Sequence, residues 1–167
     1  MNTKKILSVA AAVLMALCMV PAGLAAEKVT AGQIIAFKAK AKLGDAASQY
    51  NLGLCYLNGW GVAKDMTEAA KLFRKAADKG IDEAQFNLGA CYANGWGVAK
   101  DMTEAAKWTR KAAEQGHSGA QYNWGLFYAN GWGVVQNRAE AVKWFRKAAK
   151  QNFKPAQDVL KKAGLTW

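Results

Sequence analysis

Few residues in this chain could do covalent chemistry, and they are scattered. The 167 residues include one histidine, His117, and no cysteine stands near it in sequence. Nucleophilic catalysis needs a base beside the nucleophile. Ser8, Ser48 and Ser118 are the only serines, and none has a lysine three residues on. No His, Cys, Asp and Glu grouping has metal-ligand spacing, and no glycine loop has the phosphate-binding pattern. The close carboxylate pairs are Asp65 with Glu68, Asp101 with Glu104, and Asp82 with Glu83. All of them fall where helices are expected to start, where acids complement the helix dipole. The expectation is a protein that is not an enzyme and needs no cofactor and no metal.

The residues that could do recognition chemistry recur at a fixed interval instead. Trp60, Trp96 and Trp132 each stand between two glycines. Glycine cannot cover an aromatic ring, so these three could form a loop ladder that binds peptide, glycan or a membrane surface. The competing reading is that each ring packs on the neighbouring loop. Asn51, Asn87 and Asn123 form a second series. An amide has both a donor and an acceptor and can hydrogen-bond an extended peptide backbone. If Leu52 faces the core, a rotation of ~100° per residue turns Asn51 and Leu54 away on one side and sets Tyr50 and Leu57 nearly opposite. The equivalents are Asn87 with Phe86, and Asn123 with Tyr122. An asparagine row beside an aromatic row of Tyr50, Phe86 and Tyr122 is the predicted partner-binding groove. The competing reading ties these residues into the contacts between helices. Lys71, Arg74 and Lys75 recur as Lys107, Arg110 and Lys111 and as Lys143, Arg146 and Lys147. They either dock an anionic surface or complement the ends of their helices.

All these series share a 36-residue period. Residues 58–71 read NGWGVAKDMTEAAK, and residues 94–107 repeat those 14 without change. A third copy has NGWGV at 130–134 and EAVKWFRKAA at 140–149. Full units are therefore placed at 45–80, 81–116 and 117–152, with a leading half-unit at 26–44 and a trailing one at 153–167. Each unit reads as two helices. Ala84, Leu88, Cys91 and Tyr92 fall at i, i+4, i+7 and i+8 on the first. Asn58-Gly59 ends that helix in the first unit, with the glycine available for a left-handed cap, and Gly61 keeps the turn open. Asp65 with Glu68 starts the second helix as a variant capping box, repeated by Asp101 with Glu104 and Asn137 with Glu140, and by Thr30 with Gln33 displaced by one residue. Ala69, Phe73, Ala76 and Ala77 form its buried stripe. A hairpin of this size cannot bury its apolar face alone, and stacking three of them shares one core. The predicted fold is all-α, a right-handed superhelical α-solenoid of about eight helices.

The sequence resembles the Sel-1-like repeat family, which is related to the tetratricopeptide repeat. The residues that carry the likeness are AQFNLG at 84–89, Tyr92, NGWGV at 94–98 and EAAKWTRKAAEQG at 104–116. The resemblance covers about 30–167. It implies a helical solenoid and an adaptor that binds protein partners, mainly through the concave groove. A cysteine-rich branch of the family has been linked to penicillin binding. This sequence lacks a cysteine pair within each repeat and has no Ser-x-x-Lys, so that activity is not carried over.

The N-terminus sets the expected compartment. Lys4 and Lys5 precede an uncharged apolar run over residues 6–20, then Pro21 and the small residues Ala22, Gly23 and Ala25. That is the pattern of a secretory signal peptide over 1–25. An uncleaved anchor is the alternative, disfavoured by Pro21 and the small residues after it. Leu17 before Cys18 argues against lipidation. Cleavage leaves about 140 residues, enough for one domain. It lowers the net charge of +11 by two. The expected location is periplasmic or secreted. A basic balance favours anionic partners, such as acidic protein, anionic glycan or lipid; nucleic acid is not expected for an exported chain. The remaining cysteines, Cys55 and Cys91, occupy one repeat position on successive units. Equivalent helices pack ~8–10 Å apart, beyond the ~7 Å limit between bridged Cα atoms. Both read as small buried apolar residues, with a disulfide as the alternative in an oxidising compartment.

Overall fold

The structure, a computed structural model, describes residues 29–167. The signal-peptide expectation over 1–25 lies outside the described residues. Among the described residues there are eight helices and no strands: α1 (Ala31–Lys42), α2 (Ala46–Asn58), α3 (Met66–Asp78), α4 (Asp82–Asn94), α5 (Met102–Glu114), α6 (Ser118–Asn130), α7 (Arg138–Lys150) and α8 (Lys154–Lys162). No helix among them is long and apolar enough to cross a membrane.

Six of the eight described helices begin where a side chain accepts one or two of the first unpaired backbone N–H groups; α4 and α8, preceded by Ile81 and Phe153, have no such side-chain cap. Asp65 Oδ1 accepts from Thr67 and Glu68 N–H, both at 2.9 Å. Asp101 repeats this at 2.8 and 3.1 Å, and Asn137 caps α7 through Glu140 N–H at 3.1 Å. Thr30 and Gln33 close a full capping box on α1. Two caps were not read from the pattern: Asp45 on α2, which accepts from Ser48 N–H at 2.7 Å, and His117 on α6, whose Nδ1 accepts from Ala120 N–H at 3.0 Å. Helices α2, α4 and α6 end on glycines in the left-handed region, Gly59, Gly95 and Gly131, with φ of 77°, 75° and 72°. Only glycine adopts that backbone without a steric cost.

The described chain divides into two compact units, residues 29–100 and 101–167. In the first, α2 packs against both α1 and α3, and α3 against α4. In the second, α6 packs against both α5 and α7, and α7 against α8. Phe73 and Phe145 are fully buried, one in each unit. Small residues bring the helices close to them. A Cβ on Gly53 would lie 2.7 Å from Phe73 Cε1, and one on Gly125 would lie 2.6 Å from Phe145 Cε1. Burying one large apolar side chain contributes about 1.5–3 kcal/mol, and the glycines are what allow each ring to sit inside. Thr109, which stands at the equivalent position of the second repeat, is also buried, beside the buried indole of Trp108.

A glutamine joins each first helix to the helix before it. The Nε2 groups of Gln49, Gln85, Gln121 and Gln157 donate to the carbonyls of Ala41, Ala77, Ala113 and Ala149, at 3.1, 3.1, 3.3 and 3.1 Å. These carbonyls belong to the last turns of α1, α3, α5 and α7; each also accepts a turn hydrogen bond, from Gly44, Gly80, Gly116 and Asn152 N–H respectively, so the glutamine takes the second acceptor position of the oxygen. The motif Ala-Gln, Ser-Gln at residues 48–49, therefore has a small buried residue followed by a cap for the preceding helix.

Candidate functional site

The first helices of the repeats differ from the one-sided pattern expected for them. Helices α2 and α6 each lie between two others, so residues on opposite faces of each are buried. This decides the fate of the predicted aromatic row. Tyr50, Phe86 and Tyr122 are only 6%, 3% and 6% exposed. The Tyr50 ring packs 6.0 Å from Phe73, and the Tyr122 ring packs 5.5 Å from both Phe145 and Phe153. Burial raises the Tyr122 phenol above its ordinary value. These rings are core, contrary to a surface row. The period of 100° per residue was right, but the assumption of one buried face was wrong for a helix covered on two sides.

The asparagine series separates by position. Asn87 is 1% exposed and donates a long 3.5 Å hydrogen bond from Nδ2 to the Tyr50 hydroxyl, while its Oδ1 is buried without a partner. Asn51 in the first unit and Asn123 in the second are half-buried, and their side chains make no hydrogen bond among the described residues. Two of the three amides are therefore accessible, and the third joins α4 to α2.

The loop tryptophans Trp60, Trp96 and Trp132 are half-buried. Their loops are held rigidly. The Gly59 and Trp60 N–H groups both donate to the Cys55 carbonyl, at 2.8 and 2.9 Å, and the Asn58 side chain donates to the Leu54 carbonyl at 2.9 Å. The other copies keep the same bonds, with Asn94 and Asn130 reaching the Ala90 and Leu126 carbonyls. The Trp132 ring stands edge-on to Phe127 at 6.1 Å. That indole is thus partly packed against the core of its own unit.

A close backbone approach fixes each loop onto the preceding repeat. A Cβ on Gly97 would come 2.0 Å from the Met66 carbonyl oxygen, and one on Gly133 would come 2.3 Å from that of Met102. Real Cβ atoms do not sit there, so no other residue fits without moving backbone. Both glycines also have positive φ, 68° and 64°.

Much of the basic series is engaged. Lys71, Lys107 and Lys143 pair with Glu68, Glu104 and Glu140 one turn earlier, at 3.6, 3.0 and 2.5 Å. Arg74 donates to the Tyr92 hydroxyl and lies over that ring at 5.4 Å. Arg110 turns the other way, to Glu114 at 2.7 Å, whose carboxylate holds the guanidinium protonated. Lys111 and Lys147 lie over Trp108 and Trp144 at 4.2 and 3.7 Å. Arg146 donates to the Thr166 carbonyl at 2.9 Å. Cation–ring and side-chain contacts on exposed helices are worth at most about 1 kcal/mol each, so these rows are a solvated face with local support.

Cys55 and Cys91 are buried and form no disulfide with each other, and burial raises the Cys55 thiol above its ordinary value. Their small size at a packed position matches the apolar reading. Among the described residues no three His, Cys, Asp or Glu side chains gather as a metal site.

Taken together, paired helices, glycine-capped loops and glutamine staples define the class: an all-α helical repeat module of the solenoid type. The profile of the Sel1 repeat matches residues 46–81, 82–117 and 118–153. The chain belongs to the Sel1 repeat family, a family of repeat scaffolds that generally mediate protein–protein interaction and are typically non-enzymatic. It is similar to a solved Sel1 repeat protein from Oxalobacter formigenes, at 39% identity and a TM-score of 0.70, over 77% of this chain and 96% of that one. It is also 39% identical, with a TM-score of 0.73, to a protective antigen of uropathogenic Escherichia coli displaying an SLR fold, again over 77% of this chain but spanning only 28% of the antigen. Cysteine-rich protein B of Helicobacter pylori is 25% identical, with a TM-score of 0.61, over 77% of this chain and 92% of that one. A comparison with curated proteins found no match.

Proposed function

We propose that this chain is an exported adaptor whose first helices bind a protein or peptide partner, with Asn51 and Asn123 as the recognition amides. One observation carries the reading. These two side chains occupy the same repeat position, are half-accessible, and leave donor and acceptor unused within the described residues. An amide in that state suits an extended backbone, which offers the complementary pair of groups. Asn87 is excluded from this role by its burial and its bond to Tyr50.

The test is affinity capture from a native envelope extract, with the tagged mature chain as bait beside an Asn51→Ala/Asn123→Ala variant. A discrete protein retained by wild type and released by the variant supports the adaptor. Equal retention by both sinks the amide assignment. Export is tested separately: the mature protein recovered from the periplasm or medium should begin at Ala26.

A second reading has the loop tryptophans and the basic face holding anionic glycan or lipid. It draws on the part of each indole left open in its glycine loop and on the net charge of +11. Trypsin treatment of the extract separates the two, because a glycan or lipid ligand survives it and a protein ligand does not.

A further inference from the structure

A cavity of about 410 Å³ opens in the second unit between α5, α6 and the glycine loop after α6. It is lined by Lys107, Arg110 and Lys111 of α5, with Thr103 and Glu114 on the same helix and the indole of Trp124 on α6. Residues at i, i+3, i+4 and i+7 share one helix face, so the three cations border one opening. Their donors are not all used. Arg110 meets Glu114 through Nε alone, which leaves its two terminal nitrogens unbonded among the described residues. Lys111 makes no ion pair there and lies over the Trp108 ring. Lys107 gives one hydrogen bond to Glu104. The apolar side of the cavity comes from Trp124, Ala106 and Val134.

The corresponding corner of the first unit is built differently. There Arg74 spends its guanidinium on the Tyr92 hydroxyl and ring. Leu88 stands where the second unit has Trp124, and Asp78 stands where it has Glu114. The longer Glu114 reaches Arg110 and holds it along α5, and Tyr128 packs edge-on to Trp124 at 4.9 Å instead of receiving an arginine.

We propose that this pocket binds a small organic anion: one carboxylate, sulfonate or phosphate monoester carried on an aryl or short alkyl body. Arg110 and Lys111 meet the anionic head, since a guanidinium matches the paired oxygens of such groups. Trp124 and Val134 meet the body. The volume falls in the range of small-molecule sites, ~300–1,000 Å³. The site is separate from the amides proposed to bind a protein partner, and either reading can fail without the other.

The test is calorimetric titration of the full chain with naphthyl phosphate, beside inorganic phosphate and naphthol as head-only and body-only controls. One-site binding of naphthyl phosphate, weaker for each control and weakened by salt, is expected. Arg110→Ala/Lys111→Ala should lose about tenfold or more in affinity, as for two charge-assisted donors. Glu114→Gln, which frees Arg110, should strengthen binding several-fold. Arg74→Ala in the other unit should change nothing. Unchanged melting temperatures confirm that the exposed-residue variants fold. Equal affinity of wild type and the double variant overturns the proposal. So does an absence of saturable binding, or binding of naphthol as tight as that of its phosphate.

Discussion

The two units are built from copies of one sequence and agree in some places far more closely than in others. The glycine loops agree: Gly97 meets the Met66 carbonyl in the first unit as Gly133 meets Met102 in the second. They do so although the loop residues that follow differ, Ala99-Lys100 against Val135-Gln136. The arginine corners disagree, with Arg74 stacked on Tyr92 and Arg110 drawn to Glu114. The difference follows from what makes each contact. A backbone packed on a backbone has no rotamers with which to absorb a change. A long side chain at a half-exposed corner has several partners within reach and settles on whichever the neighbouring residues supply.

The loop half of that comparison breaks under the largest expected effect. Gly97→Ala and Gly133→Ala place a methyl inside a backbone carbonyl's radius at a positive φ, and should each cost about 3 kcal/mol or more. Gly80→Ala and Gly116→Ala share the positive φ but meet nothing within 4 Å, so about 1 kcal/mol is expected. Urea denaturation midpoints measure both pairs. If all four variants lose the same stability, the close approach has no energetic weight and φ alone explains the glycines.

The corner half sharpens under a smaller change. Arg74→Ala removes a hydrogen bond and a cation–ring contact at a half-buried site, and should cost about 1–2 kcal/mol. Arg110→Ala removes only an exposed ion pair, and no measurable shift in melting temperature is expected. A loss at Arg110 as large as that at Arg74 would mean the two corners are energetically alike despite their geometry.

What the sequence made legible was whatever repeats in one dimension. Helix starts at Asp65, Asp101 and Asn137, the left-handed glycines after α2, α4 and α6, and the small residues against Phe73 all follow from local rules applied three times. The caps at Asp45 and His117 escaped because one residue type changed between copies and hid the position. Tyr50, Phe86 and Tyr122 escaped for a different reason. A helical wheel assigns one face to the core, and whether a second neighbour covers the opposite face depends on stacking, which no single helix records. The role of Gln49, Gln85, Gln121 and Gln157 was likewise invisible, since their acceptors are eight residues earlier on another helix. The exposure of Asn51 and Asn123 beside a buried Asn87 could not be read from three identical letters.

The smallest expected effect concerns the two caps. Asp45 on α2 has its carboxyl held below the ordinary value, first by hydrogen bonds from the Ser48 side chain and backbone N–H, and further by Lys40 and Lys79. A depressed carboxyl contributes stability that is fully present above its unfolded value of ~3.9 and is lost as pH falls through the lower folded value. Asp45→Asn keeps an acceptor at the cap and removes the titration. The melting temperatures of wild type and Asp45→Asn should therefore differ slightly at neutral pH and converge as the pH falls through the lowered folded value of the Asp45 carboxyl. His117 caps α6 with a ring nitrogen in place of a carboxylate, so His117→Asn should leave that acid-range convergence untouched. A gap between wild type and Asp45→Asn that stays constant down to the acid limit would show that the charge on Asp45 adds nothing to its hydrogen bond. The two units would then be capped by equivalent means.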